Sequence, residues 1–269
     1  MLAHAKINLF LHVIGKREDG HHLLESFFSK LSICDELRVE ICDELICDIS
    51  GYKITGDNIA MDAARKLQNF ANCKSGAKIT INKRIPVSGG LGGGSADAAA
   101  VLQLLIKIWH VKINTQELNE LALSIGADVP FCLQKENAFV TGIGEIIRPI
   151  PKSGRLLDIV LINPGYEIST KKVFRNLNKL LTPANKENMY QMIFDGRNDL
   201  EDVAIEMHKE LIEVKKALTK QKNVQLVRMS GSGPTYFAIF DNTDSAKNAQ
   251  NHLSMERSGW LIWQDQINI

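Results

Sequence analysis

Pro86-Val87-Ser88-Gly89-Gly90-Leu91-Gly92-Gly93-Gly94-Ser95-Ala96-Asp97 holds five glycines in six positions and runs straight into Ala98-Ala99-Ala100-Val101-Leu102. Glycine has no Cβ, so such a run can take left-handed backbone angles and bring its amides close to a ligand. Several N–H groups can then converge on one anion. Ala98, Val101, Leu102, Leu105, Ile108 and Trp109 follow at helical spacing, so the loop opens an amphipathic helix. The unpaired first amides of that helix and its dipole add to the pull on an anion, and phosphate is the natural guest. A flexible linker is the competing reading, but a linker is seldom followed at once by an Ala-rich helix. Neither common nucleotide loop fits. Ser95 stands where the Walker pattern, with Gly89 and Gly94 in place, needs a lysine, and no glycine triple has the Gly-x-Gly-x-x-Gly spacing.

Working outward, Ile7, Leu9, Leu11 and Val13 alternate with Lys6, Asn8, Phe10 and His12. That period predicts a strand with Lys6 and Asn8 on one face. Short strands are expected at Arg38–Cys42, Leu45–Ile49 and Ala77–Asn82, and a helix at Asn58–Phe70. A further helix is expected at Thr115–Ile125, with Asn114 as N-cap, Glu117 three residues on and Gly126 as a left-handed stop. Beyond Pro149 and Pro151, the polar break Lys152–Arg155 suggests a boundary, giving domains 1–152 and 153–269. The second is expected to hold a strand at Leu156–Ile162 and helices at Ser169–Leu181 and Glu201–Leu218. A strand–turn–strand over Val224–Phe240, a helix from Ser245 and a strand near Trp260–Trp263 complete it. This order favours two α+β domains with largely antiparallel sheets.

Composition narrows the classes. The chain has 269 residues, 45% of them apolar, enough for a large core. Lys plus Arg number 32 against 31 Asp plus Glu. No basic excess marks a nucleic-acid partner, so an anionic ligand must be held by local chemistry. Cys34, Cys42, Cys47, Cys73 and Cys132 are odd in number and lack a Cys-x-x-Cys pair, which reads as reduced thiols. No run approaches the roughly 20 apolar residues of a membrane span. No signal peptide is read either, since Lys6 and Asn8 come early and His12 interrupts the apolar run. The expectation is a cytoplasmic protein with no membrane or nucleic-acid partner.

With these residues in view, Pro86–Ala99 resembles the second motif of the GHMP kinases. Ala5-Lys6-Ile7-Asn8-Leu9-Phe10-Leu11 resembles their first and Met229-Ser230-Gly231-Ser232-Gly233-Pro234-Thr235 their third. The resemblance implies an α+β, two-domain GHMP kinase fold. Its N-terminal domain is ribosomal-protein-S5-like α/β and its C-terminal domain ferredoxin-like α+β. It also implies ATP as phosphoryl donor with Mg2+, and a small-molecule alcohol as acceptor. The stretches Gly15–Leu24, Lys83-Arg84-Ile85-Pro86, Gly126–Phe131, Gly142-Ile143-Gly144-Glu145 and Asn198-Asp199-Leu200-Glu201 are similar to one branch of that family. The substrate of that branch is a cytidine-diphosphate-linked methylerythritol, phosphorylated on its 2-hydroxyl.

The resemblance assigns the ATP phosphates to Pro86, Val87, Ser88, Gly89, Gly90, Leu91, Gly92, Gly93, Gly94, Ser95 and Ala96. It puts Asp57, Asn58, Lys83 and the apolar residues near Ile59 around the adenine, and it offers Ser95 as a magnesium ligand, ahead of Asp97. Asp128 is the expected base. It lies in a polar break before the apolar Val129-Pro130-Phe131, an odd place for a solvated carboxylate. Lys6 is the expected cation, steadying charge that develops on the attacking oxygen; its alternative reading is a surface strand residue. Asn8 is expected to contact the substrate. His22 is expected at the cytosine edge, with His21 where the family usually has a stacking Tyr. Phe174 has two readings, second stacking ring or helix core, and Thr170 two, substrate contact or helix cap. Another GHMP kinase of mevalonate or homoserine type is the rival activity, and an ATP-binding regulatory relative without catalysis the rival class. A monomer or weak homodimer is expected.

Overall fold

The computed structural model describes residues 1–52, 58–151, 153–177 and 189–269. Among these the order is β1 (Leu2–Lys16), β2 (His22–Cys42), β3 (Leu45–Ser50), α1 (Ile59–Phe70), β4 (Gly76–Asn82), α2 (Gly93–Ile108), α3 (Thr115–Ile125), α4 (Val129–Leu133), β5 (Asn137–Gly142) and β6 (Ile146–Ile150). There follow β7 (Leu156–Asn163), α5 (Thr170–Arg175), α6 (Met189–Asp195), α7 (Glu201–Met207), α8 (Leu211–Thr219), β8 (Val224–Met229), β9 (Tyr236–Phe240), α9 (Thr243–Glu256) and β10 (Leu261–Asn268). Two compact units are woven from alternating segments. Met1–Lys6, Ile33–Val87 and Gly92–Lys135 make the first; Ile7–Ser32, Ser88–Leu91 and Glu136–Ile269 make the second.

In the first unit β4 is central. Buried Ala77, Ile79 and Ile81 alternate with exposed Lys78 and Thr80, the period of a strand with one covered face. β4 pairs antiparallel with the end of β2, Leu37 opposite Ile81, and parallel with β3, Cys47 opposite Ile79. Helices α1 and α2 pack together, and both carry buried alanines, Ala60, Ala63 and Ala64 on one and Ala96, Ala98, Ala99 and Ala100 on the other. Side chains this small let the two axes come close. α1 starts where the Asn58 side chain accepts from the Ala60 and Met61 amides. At α3 the Asn114 side chain accepts the Glu117 N–H while the Glu117 carboxylate accepts the Asn114 N–H, both at 2.9 Å, a complete capping box.

In the second unit a four-stranded antiparallel sheet has the order β10-β7-β9-β8. β7 is buried along Leu157–Asn163. Its Val160 and Ile162 share a core with Leu11 and Val13 of β1, Tyr236 and Ala238 of β9, and Ala204, Leu211, Val214, Leu218, Ala246 and Leu253 from α7, α8 and α9. The early half of β2 pairs with β5, Phe27 opposite Phe139, and β5 pairs with β6.

The α+β reading with largely antiparallel sheets holds. Several element boundaries differ. Arg38–Cys42 is the end of the 21-residue β2, whose early part lacks clean alternation because it is buried on both faces. Gly126 has φ 179°, extended backbone open to any residue, so it is no left-handed stop. The helix expected to Leu181 ends at Arg175, where the Asn176 side chain turns back onto the Lys172 carbonyl at 2.9 Å; positions 178–181 lie outside the described residues. Glu201–Leu218 is two helices, broken where His208 takes φ −138° and ψ 82°. Helical spacing could not register that break, because Ala204, Leu211 and Leu218 keep it throughout. β5, β6, α4 and α6 have no counterpart in the sequence reading.

Candidate active site

In the first unit, Lys6, within the buried run of β1, places its Nζ 3.1 Å from Asp128 Oδ2. Lys6 is 4% exposed, so its surface-residue reading is set aside. The Asp128 side chain is 32% exposed and makes no capping bond to α4, which it immediately precedes. The pair is thus a sheltered cation beside a carboxylate that a substrate can still reach. Gly92 touches the same lysine: a Cβ there would lie 2.9 Å from Lys6 Cγ and 3.0 Å from Cε. Gly92 also has φ +65° and is the N-cap of α2, so glycine is needed twice over. The first intrahelical bond runs from the Ala96 N–H to the Gly92 carbonyl at 2.9 Å, leaving the amides of Gly93, Gly94 and Ser95 ahead of the ladder. Lys6, Asp128 and the opening of the glycine helix therefore share one place.

Asn58 and Lys83 are already engaged. Asn58 caps α1, and its Nδ2 lies 3.3 Å from Cys47 Sγ. Lys83, expected beside the adenine, is buried in an ion cluster. Its Nζ contacts Asp35 Oδ2 and lies 2.6 Å from Asp97 Oδ2. Asp35 Oδ1 accepts the amides of Arg84 at 2.5 Å and Ile85 at 2.8 Å. Burial pushes the Asp97 carboxyl up to about 7 against the pull of Lys83, and its Oδ1 has no hydrogen-bond partner. Sequence reasoning missed Asp35. The available signal was its parity with Leu37 on the covered face of β2. Asp57 lies outside the described residues. Among the described residues no group of three or more His, Cys, Asp or Glu could hold a metal ion. Ser95 is half-buried in the first turn of α2.

In the second unit, Asn8 is buried, with Nδ2 donating to Ser26 Oγ at 3.0 Å. His22 stacks on Phe174, centroids 5.2 Å apart and planes 30° from parallel. This brings two of the sequence candidates together and removes Phe174 from a purely core role. Burial, Lys16 and His21 hold the His22 imidazole below its ordinary value, which favours the neutral ring. His21 is different: its side chain is 63% exposed and its Nδ1 sits 3.2 Å from Asp19 Oδ1. Ser169, not Thr170, caps α5. The Thr170 hydroxyl meets Ser232 Oγ at 2.7 Å. Ser88 has φ +51° and Gly90 φ +75°, and the Gly89 carbonyl accepts the Thr235 N–H at 3.3 Å.

Glycine-opened helix, buried cation and facing carboxylate fit a small-molecule kinase, and the comparisons agree. The family model for the GHMP kinases N terminal domain matches residues 58–136, and that for the GHMP kinases C terminal matches 175–256. A 4-diphosphocytidyl-2-C-methyl-D-erythritol kinase of Ehrlichia canis (strain Jake) is 38% identical, over 98% of this chain and 97% of its own. One of Syntrophus aciditrophicus (strain SB) is 39% identical over the same shares, 98% and 97%. A crystal structure of 4-(cytidine 5'-diphospho)-2C-methyl-D-erythritol kinase superposes with TM-score 0.84 at 32% identity, covering 100% of this chain and 99% of that one. A mevalonate kinase of L. major shares the fold, with TM-score 0.73 at 16% identity over 99% of this chain and 95% of its own. The chain is a GHMP kinase, an enzyme that transfers phosphate to a hydroxyl, and within that class it belongs to the 4-diphosphocytidyl-2-C-methyl-D-erythritol kinase family.

Proposed function

We propose that this chain phosphorylates the 2-hydroxyl of 4-diphosphocytidyl-2-C-methyl-D-erythritol with ATP, with Lys6 and Asp128 as its catalytic pair. The observation that carries the reading is the Lys6 ammonium, buried and 3.1 Å from the partly open Asp128 carboxylate, against the glycine that opens α2. Phosphoryl transfer needs an aligned hydroxyl, a group to take its proton and positive charge near the developing negative oxygen. Asp128 accepts the hydroxyl proton as the oxygen bonds to the terminal phosphorus, and ADP leaves. Lys6 steadies the oxygen and orients the carboxylate.

The cradle fits a triphosphate: a glycine run with positive φ at Gly90 and Gly92, then helix amides with no side chain capping them. Pro86–Ala96 would hold the phosphates. GHMP kinases use ATP, generally with a divalent metal. Magnesium held through the phosphates would add positive charge there, with Ser95 as its candidate side chain. His22 and Phe174 offer a flat, largely apolar pair of rings suited to a pyrimidine, with Asn8 and Thr170 as further substrate contacts. The family models match separately on either side of residue 152, which supports 1–152 and 153–269 as the two family domains. A cytoplasmic monomer or weak homodimer without nucleic-acid or membrane partners completes the reading, the near-neutral charge of +1 arguing against a nucleic-acid partner.

The test is an ADP-release assay with the cytidylyl alcohol, run beside mevalonate and homoserine. Turnover with the cytidylyl alcohol alone is expected. Turnover with another alcohol instead would overturn the substrate assignment, and nucleotide binding without turnover on any alcohol would overturn catalysis.

A further inference from the structure

The stretch Asn198-Asp199-Leu200-Glu201 has no part in the catalytic scheme, yet all four residues are buried. Asn198 explains why. Its Nδ2 donates to the carbonyls of Met229 and Gly231, each at 2.7 Å, and its Oδ1 accepts the Leu200 N–H at 3.0 Å. One amide thus grips the backbone on either side of Ser230. Ser230 is fully buried. Its Oγ accepts the Asn8 N–H at 3.2 Å and donates to the Gly90 carbonyl at 3.1 Å. The two backbones pass close at Gly90: a Cβ there would stand 2.4 Å from the Ser230 carbonyl oxygen. A single hydroxyl therefore joins β1, the glycine loop and the turn after β8, in surroundings where a lost partner is costly.

We propose that Ser230 is a positioning residue for the nucleotide loop, held in aim by Asn198, and that its hydroxyl sets the backbone of Gly89 and Gly90 for the phosphates. Ser230 acts through Gly90: its hydroxyl is engaged by the Asn8 N–H and the Gly90 carbonyl, both within the protein. Phosphate cradles work by the placement of amides, and small displacements of such groups carry large kinetic penalties. The kinetic arm of the test rests on the ATP-kinase reading above; the exchange arm does not.

Ser230→Ala and Ser230→Thr chains are compared with the parent in two ways. Amide hydrogen exchange without nucleotide is followed over residues 86–96, and KM for ATP, KM for the cytidylyl alcohol and kcat are measured. Ser230→Ala is expected to speed exchange in the loop about tenfold, the loss of one buried bond. It should also raise KM for ATP about tenfold while leaving KM for the alcohol within about twofold. Ser230→Thr, which keeps the hydroxyl, should recover both. Unchanged loop exchange with unchanged KM for ATP would overturn the proposal, as would equal rises in both KM values or a Ser230→Thr chain as impaired as Ser230→Ala. If Ser230→Ala does not fold, Ser230→Cys, with a weaker donor of similar shape, carries the same comparison. A parent chain without turnover would count against the kinase reading alone, and loop exchange would then decide the role of Ser230.

Discussion

A buried ammonium needs a counter-charge, and Lys6 has one in Asp128 at 3.1 Å. The two come from distant parts of the chain, so only motif likeness could pair them in advance. Asp128→Ala is expected to lower kcat by at least about a hundredfold, with KM for ATP little changed, because the proton acceptor is lost while the phosphate cradle stays. Steady-state kinetics with both substrates varied decide it, and near-normal turnover would remove Asp128 as base. Lys83 teaches the opposite lesson. Expected beside the adenine, it is held between Asp35 and Asp97. Nothing in the run Asn82-Lys83-Arg84 distinguishes the buried lysine from the exposed arginine beside it. The aromatic pair is a mixed case. His22 and Phe174 do stack, while His21 stands exposed against Asp19.

Elements were most legible where local chemistry decides them. The capping box of α3 could be read directly, because a cap depends on residues three positions apart, whereas the Asn58 cap of α1 emerged only from the structure. Glycines were harder, because only backbone geometry separates a required glycine from a tolerated one. Gly92 has φ +65° and would press a Cβ against Lys6, whereas Gly126 has φ 179° and would meet nothing closer than 3.5 Å. Gly92→Ala is therefore expected to cost about 1–2 kcal/mol and to depress kcat by displacing Lys6. Gly126→Ala should stay within about 0.5 kcal/mol of the parent. Urea denaturation of both variants provides the check, and a Gly126→Ala penalty equal to that of Gly92→Ala would contradict the backbone assignment.

At the scale of the whole molecule, side chains tie remote segments into each unit. Asp35 of β2, Lys83 after β4 and Asp97 of α2 form one buried cluster in the first unit. Lys83→Met leaves two buried carboxylates without their cation, and a loss of about 3–5 kcal/mol is expected. Thermal melting should reveal it as a large drop in Tm. A stable variant with only a raised KM for ATP would return Lys83 to the nucleotide site. The α+β class and the capping box of α3 could be read from residue order alone, since these depend on short spacings and residue chemistry, whereas Lys6 and Asp128 could be paired only through motif likeness. The interleaving of the two units, the burial of Lys83 and the meeting of Asn198, Ser230 and Gly90 could not be read from residue order. Each depends on which distant backbones lie side by side, and that is set by the packing of the whole core against the entropy of the chain.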